Sequence, residues 1–260
     1  MYVVINMHND GGYGVTGKWL DITKTGADFE AVKTKFSGAW TSIATYFADY
    51  DQKLVFEGFN ELLVDYSTVP TSTHYANINA LNTAFVSAVR AAGGSNADRV
   101  LIVAGYNTNI EYTIEGFIKP TDSAANRLML SVHYYDPYDF ALNENGTGSW
   151  SNSANGTDMK NAIADICDFA SENNMPIFIG EYGPIDKNNP AARGEYCYYI
   201  NKYAKANTSN VKVVLAYWDN GVVGTNGSAL FNRTTDTATA VGSALINYIQ
   251  AGYNNAAMPS

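Results

Sequence analysis

The stretch LVFEGFNE, residues 54–61, decides the fold because an apolar run ends there in polar side chains. A second stretch of the same kind, MPIFIGEYG, covers residues 175–183 and carries Glu181 behind its apolar run. Short apolar runs rich in β-branched and aromatic residues, each followed by a loop, predict buried strands. Glu61 and Glu181 are therefore predicted at the carboxyl ends of two strands.

Predicted strands and helices alternate along the chain. Strands are predicted at residues 2–8, 54–60, 99–105, 127–134, 176–181 and 212–218. Helical spacing of apolar residues predicts helices at 27–50, 75–92, 157–174, 191–206 and 238–251, with a short helix or turn at 112–118. Polar loops are predicted at 10–17 and 136–156. Repeated βα units of this kind form a parallel sheet whose faces are covered by helices.

Two architectures fit this alternation of strands and helices: an open, doubly wound sheet and a closed barrel. We expect no Gly-x-Gly-x-x-Gly loop after any strand and find no phosphate-binding loop, which argues against a nucleotide-binding open sheet. Polar residues end nearly every predicted strand, as they do at the active-site face of a (β/α)8 barrel. We predict an α/β fold of (β/α)8 TIM-barrel type, truncated to about six βα units. It is expected to be one catalytic domain over residues 1–260.

The composition excludes several classes of function. With 16 basic and 25 acidic residues, the net charge of −9 offers no basic face for a nucleic-acid partner. No apolar run is long enough to span a membrane, and no signal peptide precedes the first predicted strand. The three histidines are not at metal-ligand spacing, so neither a metal nor another cofactor is expected. For Cys167 and Cys197, on predicted helices, free thiols are favoured over a disulfide.

Two carboxylates that converge on one cleft are the equipment for cleaving a glycosidic bond. Glu57, four residues before Glu61, is expected to point into the barrel interior in a structural role. The other side chains singled out at the predicted strand ends are His8, Asn60, His133, Tyr135 and Trp218. Either histidine could be a core hydrogen-bond donor or a catalytic partner, and the tryptophan could be a barrel plug or a platform for a sugar ring. A serine nucleophile is not supported, because Gly-x-Ser-x-Gly is absent.

Five short segments, taken together and in the order in which they occur, form a pattern that is more specific than any one of them. They are VVINMH, FEGFNE, SVHYYDP, IFIGEYG and AYWDNG, which begin at residues 3, 56, 131, 177 and 216. Together they resemble the family 5 glycoside hydrolases, in particular the endo-β-1,4-glucanases (cellulases), over essentially the whole chain. By this resemblance, the first predicted strand corresponds to the third strand of that family.

The resemblance implies a role for each strand-end residue. Glu61 would be the acid/base and Glu181 the nucleophile of a retaining reaction. The substrate contacts would come from the others, with Asn60 at the sugar 2-hydroxyl, His133 and Tyr135 beside the substrate or the nucleophile, and His8 and Trp218 in the subsite next to the cleaved bond. The implied protein is a secreted endo-β-1,4-glucanase that hydrolyses internal bonds of cellulose or related β-glucans.

Two alternatives remain open from the sequence. The same glutamates could act on mannan, xylan, xyloglucan or mixed-linkage glucan, because specificity lies in loops such as 10–17 and 136–156. The chain could also be a catalytically idle, carbohydrate-binding remnant, since the resemblance implies that the family's first two βα units, and an arginine within them, are absent. Their absence would leave strand edges uncovered. The chain could close a smaller, imperfect barrel, or the fragment could be unstable, but we favour a homo-oligomer in which another copy completes the barrel.

Overall fold

Six parallel strands form one sheet in the computed structural model, which describes residues 1–259. The strands follow one another in sequence order: β1 (Val3–Asn6), β2 (Leu54–Glu57), β3 (Leu101–Ala104), β4 (Leu128–Tyr134), β5 (Ile177–Tyr182) and β6 (Val213–Tyr217). Parallel registers join β1 to β2, β2 to β3, β3 to β4, and β5 to β6. This order confirms the predicted α/β fold of βα units in series.

Helices follow the strands near the predicted positions. They are α1 (Gly26–Tyr46), α2 (Ser72–Ala91), α3 (Ile110–Gly116), α4 (Tyr138–Ala141), α5 (Asn152–Glu172), α6 (Pro190–Lys205) and α7 (Ala240–Tyr253). Short 3-10 helices lie at Gly94–Ala97 and Tyr106–Thr108. A small antiparallel hairpin of β7 (Phe231–Asn232) and β8 (Thr237–Ala238) was not predicted, because two-residue strands carry too little hydrophobic pattern.

The prediction of a loop over residues 136–156 is wrong in part, since this segment contains α4 and the first turn of α5. Asn, Ser and Gly favour helix weakly, which is why the sequence pattern predicts a later start. Tertiary contacts override that preference. The Asn152 amide N–H donates to a Glu195 carboxylate oxygen at 2.9 Å, and the Asn152 side-chain oxygen accepts from the Tyr203 hydroxyl. Gly156 suits this turn because a Cβ would collide with the Asn152 side chain.

The expectation that no Gly-x-Gly-x-x-Gly loop follows a strand is wrong for the loop after β1. Residues 12–17 spell Gly-x-Gly-x-x-Gly, which binds dinucleotides where it leads directly from a strand into a helix. Here the next helix, α1, begins only at Gly26. The pattern therefore does not form the dinucleotide-binding motif, and its glycines serve the loop conformation described below.

The chain divides into two compact units, the first of which comprises residues 1–132 and 173–176. In it, the α1 residue Trp40 packs on Phe56 and Phe85, with ring centroids at 5.5 and 4.6 Å. Arg99 is fully buried and donates to the backbone carbonyl oxygens of Phe47, Tyr50, Asp51 and Leu54. Because a buried guanidinium is tolerated only when its donors are satisfied, Arg99 fixes the turn between α1 and β2.

The second unit comprises residues 133–172 and the chain from Ile177 onward. In its core, the Tyr196 ring lies 5.4 Å from Trp150 and 5.6 Å from Phe140, measured between centroids. Cys167 and Cys197 are free and buried, which confirms the preference for free thiols. Burial raises the pKa of both thiols to about 12, so they are unreactive at neutral pH.

Apolar side chains are exposed on strands in both units. Val3 and Val4 in β1 are 46% and 39% exposed, and Val214 in β6 is 50% exposed. Strands β1 and β6 are the two end strands of the six-stranded sheet. No helix among the described residues combines the length and the hydropathy that a membrane span requires.

Candidate active site

One cluster of candidate residues lies in the first unit, at the carboxyl ends of β1 and β2. These two strands pair in parallel register, and the Asn60 amide N–H donates to the Met7 carbonyl oxygen just beyond them. Asn60 Nδ2 consequently lies 3.5 Å from His8 Nε2. Glu61 follows directly in the chain, so three of the side chains singled out from the sequence belong to this one cluster.

Glu57 lies deeper in the same unit and is only 4% exposed. Its two carboxylate oxygens accept hydrogen bonds from Asn6 Nδ2 at 2.9 Å and Ser131 Oγ at 2.7 Å. A buried carboxylate with both oxygens bonded is satisfied where it stands. These contacts support the structural role that the sequence predicts for Glu57.

The segment after Glu61 is an ordered loop. Leu62 and Leu63 are buried, and the Val64 amide N–H donates to the Tyr106 hydroxyl at 3.0 Å. The Asp65 carboxylate then accepts from the Ser67 amide N–H, the Ser67 hydroxyl and the Thr68 hydroxyl. These hydrogen bonds hold the pKa of Asp65 below its ordinary value, because they stabilise the ionised form. The turn that they close presents Tyr66 to solvent.

The glycine-rich loop at residues 10–17 packs against Glu61 through its backbone. Gly12 has a φ of +88°, and a Cβ on it would lie 2.8 Å from the Glu61 carbonyl oxygen. Gly11 is equally confined, since a Cβ there would fall 2.4 Å from the Leu62 side chain. Only glycine allows both the left-handed backbone and this close approach. The position of the loop next to Glu61 is therefore specified by these two residues.

Two exposed tyrosines meet beside Glu61, and sequence reasoning missed both. The rings of Tyr13 and Tyr66 are 5.5 Å apart between centroids, with an interplanar angle of 71°. The Tyr66 hydroxyl donates to Glu61 Oε2 at 3.4 Å. The available signal was an aromatic residue in each of the two loops that flank Glu61, but sequence alone does not show that the loops touch.

Another cluster of candidate residues lies in the second unit, around Glu181. The Tyr135 hydroxyl donates to Glu181 Oε2 at 2.9 Å, and His133 Nδ1 lies 3.6 Å from the same oxygen. The side chains of His133 and Glu181 are 5% and 12% exposed. A hydroxyl donor held on a nearly buried carboxylate fixes the orientation of that carboxylate. His133 and Tyr135 thus both lie next to Glu181. This is one of the two positions, beside the substrate or beside the nucleophile, that the resemblance implies for them.

Strand β5 carries Glu181 on an irregularity in its pairing. Ile179 pairs with Leu215 and Tyr182 with Tyr217, so three steps along β5 correspond to two along β6. One extra residue of this kind is a bulge, which bends the strand and re-aims a side chain. The hydrophobic pattern of the strand contains no sign of this extra residue.

Trp218 follows β6 and is tied to the end of β5. Its amide N–H donates to the Tyr182 carbonyl oxygen at 2.9 Å, and its side chain is 36% exposed. The adjacent Asp219 carboxylate accepts from the amide N–H groups of Gly221, Leu230 and Phe231, which orders the loop that follows. A partly exposed indole on an ordered loop suits a sugar platform better than a buried plug.

Carboxylates and imidazoles can also bind cations. Within the second unit, His133 Nδ1 and Glu181 Oε2 could offer such ligands, and these two atoms lie 3.6 Å apart.

The comparison with known proteins identifies the family. A model of the cellulase family, glycosyl hydrolase family 5, matches residues 1–224. The chain belongs to this family. Endoglucanase A of Paenibacillus barcinonensis is 36% identical over 274 residues, a match that covers 97% of this chain and 68% of the relative. A xyloglucan-specific endo-β-1,4-glucanase of Bacteroides ovatus is 35% identical, but this chain spans only 48% of its length.

Solved structures give the same family and fold. A family 5 xyloglucanase from Paenibacillus pabuli, in complex with ligand, has a TM-score of 0.85 at 36% identity and covers 97% of this chain and 76% of its own. A GH5-4 broad-specificity endoglucanase from Bacteroides salanitronis has a TM-score of 0.87 at 33% identity, with 96% and 70% covered. These neighbours confirm the TIM-barrel type of fold for the six βα units.

Proposed function

We propose that this chain is the catalytic domain, over residues 1–260, of a retaining endo-β-1,4-glucanase. The observation that carries the proposal is that a family 5 member holds glutamates at the carboxyl ends of two strands of one parallel sheet. This end of a barrel sheet is where active sites of the fold are built. The substrate is a β-glucan, and the relatives named endoglucanases support that class.

The proposed reaction has two steps. Glu181 attacks the anomeric carbon with a carboxylate oxygen while Glu61 protonates the oxygen of the departing sugar, so one C–O bond forms as the glycosidic bond breaks. Water then attacks the same carbon, gives its proton to Glu61, and releases Glu181 as a carboxylate. Retaining enzymes hold the two carboxyl groups about 5 Å apart for this exchange.

The surroundings of each glutamate suit its role. Glu181 accepts a hydroxyl hydrogen bond at 2.9 Å, which holds the carboxylate of a nucleophile in one orientation. Asn60, beside Glu61, offers an amide that can bond the 2-hydroxyl of the reacting sugar. Trp218 offers an exposed ring for stacking under that sugar. No step in this scheme uses a metal or another cofactor.

Xyloglucan is a second candidate substrate, and a specific observation favours it. Similar proteins from Paenibacillus pabuli and Bacteroides ovatus are named xyloglucanases, at 36% and 33% identity among the solved structures. The ratio of kcat/KM on xyloglucan to that on an unbranched soluble glucan separates the two candidates.

The test is reducing-sugar release from carboxymethylcellulose and xyloglucan by the parent, Glu61→Gln and Glu181→Gln. Each variant should lose activity by at least about 10³-fold, because acid/base and nucleophile act as a unit. Glu172→Gln, an exposed glutamate at the end of α5, is the matched control and should keep full activity. An inactive parent, or an active Glu181→Gln, would refute the proposal.

The retaining mechanism has its own measurement. A 2-fluoro cellobioside with a good leaving group should leave a covalent sugar on the protein, since the fluorine slows both steps while the good leaving group speeds only the first. Peptide mass spectrometry should place that label on Glu181. A label elsewhere, or a first product of inverted configuration by NMR, would contradict the double displacement.

We also propose that the protein is secreted and self-associates. A β-glucan polymer is met outside the cell, which supports secretion. The apolar side chains of Val3 and Val4 in β1 are exposed, and the neighbouring Tyr2 is 73% exposed. An exposed apolar end strand of this kind suits pairing with a second copy of the chain. Light scattering after size exclusion should show a mass above 28.2 kDa at micromolar concentration. A monomer at every concentration would overturn the self-association.

A further inference from the structure

We propose that Tyr13 and Tyr66 bind the leaving-group sugar, and that the Tyr66 hydroxyl positions Glu61 for proton transfer. This inference rests on the proposed function and assigns residues that the sequence argument did not single out. It concerns one cluster within the first unit, made of the loop at 10–17, Glu61 and the loop that follows it.

The geometry sets these two tyrosines apart from other surface aromatics. Tyr66 is 69% exposed, yet its hydroxyl reaches Glu61 Oε2 at 3.4 Å. Tyr13 is 57% exposed and stands edge-on to Tyr66 at 71°. Rings this exposed contribute little burial to folding, and exposed aromatic surface of this kind can pack on a ligand. Two rings at a steep angle form a corner that can hold one face and one edge of a pyranose.

Both tyrosines stand on ordered backbone. The buried Leu62 and Leu63 anchor one loop, and the hydrogen bonds to Asp65 close the turn that carries Tyr66. The other loop is held against the Glu61 backbone by Gly12. A site formed before the ligand arrives loses less entropy on binding, which is what a sugar subsite requires.

The chemistry of the reaction decides which sugar this corner meets. The acid/base protonates the oxygen that joins the two sugars and departs with the second one. A residue whose hydroxyl contacts the acid/base therefore lies on the side of the departing sugar. Pyranose rings carry apolar C–H faces that pack on aromatic rings, while their hydroxyls stay solvated. The corner thus suits the sugar on the leaving-group side.

The experiment compares two substrates that differ on that side only. Cellopentaose places sugars on the leaving-group side, whereas β-cellobiosyl fluoride has only fluoride there and needs no proton from Glu61. Tyr13→Ala and Tyr66→Ala should lower kcat/KM on cellopentaose by roughly tenfold. Both should leave kcat/KM on the fluoride within about twofold of the parent. Tyr46→Ala, an exposed tyrosine at the far end of α1, is the control and should change neither.

Two further readouts separate stacking from positioning. Tyr66→Phe keeps the ring and loses the hydroxyl, so it should retain the parent KM on cellopentaose while kcat falls. The Ala variants should also transfer less sugar to added cellobiose relative to water, because an acceptor sugar uses the same corner. Equal losses on both substrates, or no loss on cellopentaose, would overturn the inference. A parent inactive on both substrates would instead refute the proposed function, and the subsite with it.

Discussion

The contact between Gly12 and Glu61 leads to a test of how closely the backbone positions the acid/base. Gly12 has a φ of +88°, and a Cβ built on it lies 2.8 Å from the Glu61 carbonyl oxygen. Gly14, in the same loop, has a φ of +74° but would place a Cβ in open space. Alanine at either position therefore strains the backbone in the same way. Only alanine at position 12 also collides with the Glu61 carbonyl oxygen.

The magnitudes follow from these two geometries. Either alanine should cost about 1–2 kcal/mol of unfolding free energy, because both demand a left-handed conformation. Only Gly12→Ala must also push Glu61 away, by about 0.6 Å if the contact relaxes to the ordinary 3.4 Å. Catalytic groups tolerate displacements of about 0.5 Å, and a shift of about 1 Å can cost a hundredfold in rate. We expect kcat to fall by at least about tenfold in Gly12→Ala and by less than about twofold in Gly14→Ala.

The assay is kcat on a cello-oligosaccharide, together with the unfolding free energy from urea titration of each variant. Comparable stability losses with a large difference in kcat would establish the backbone contact as the cause. The reasoning would be refuted by equal kcat values for the two variants. It would also be refuted if Gly12→Ala lost activity only in proportion to its unfolded fraction.

Two other predictions concern Tyr135 and Asp122. Tyr135→Phe should lower kcat/KM by about tenfold to a hundredfold, since a hydrogen bond to a charged group such as Glu181 contributes about 1.5–3 kcal/mol. Tyr253→Phe, the same change on α7, should have no such effect, and similar losses in both would contradict the assignment. Asp122→Ala should cost about 3–5 kcal/mol of unfolding free energy, because it strips a buried Arg90 of its bidentate partner. Burial opposes ionisation of Asp122, but hydrogen bonds, chiefly from Arg90, hold its pKa below 3.8. This stabilisation is therefore present above about pH 4 and lost as the pH falls through the folded-state pKa. Urea titrations of parent and variant should show the stability gap shrinking between about pH 6 and about pH 3, whereas a constant gap would show that the ion pair is not its source.

The strands were predictable because their burial is expressed directly in composition. All residues of β2 are buried, as are Ile177, Phe178 and Ile179 in β5, and a continuous apolar run marks such a strand. Polar residues that end these runs must lie at one edge of a parallel sheet. This is why reasoning from order alone identified Glu61 and Glu181 as candidates before any geometry was known.

The features that the sequence analysis did not predict depend on contacts between residues distant in the chain, and such contacts leave no local pattern in the sequence. The contact between Tyr13 and Tyr66 requires two loops to touch. The left-handed backbone of Gly12 places one loop, and the turn closed by hydrogen bonds to the Asp65 carboxylate places the other. The early start of α5 requires Glu195 and Tyr203, which are distant in the chain from Asn152. Helix propensity and hydrophobic period report on neighbours in sequence, so neither could reveal these features.

Because β5 contains a bulge, the number of residues in this strand determines the direction in which Glu181 points. Between Ile179 and Tyr182 the chain carries one residue more than its neighbour β6. Removing Gly180 would restore regular pairing and turn the following side chain to the opposite face of the sheet. Glu181 would then remain in the sequence but leave its hydroxyl partner on Tyr135. Laboratory evolution of this protein should therefore accept substitutions in β5 far more readily than deletions, and a library of single-residue deletions would measure that difference.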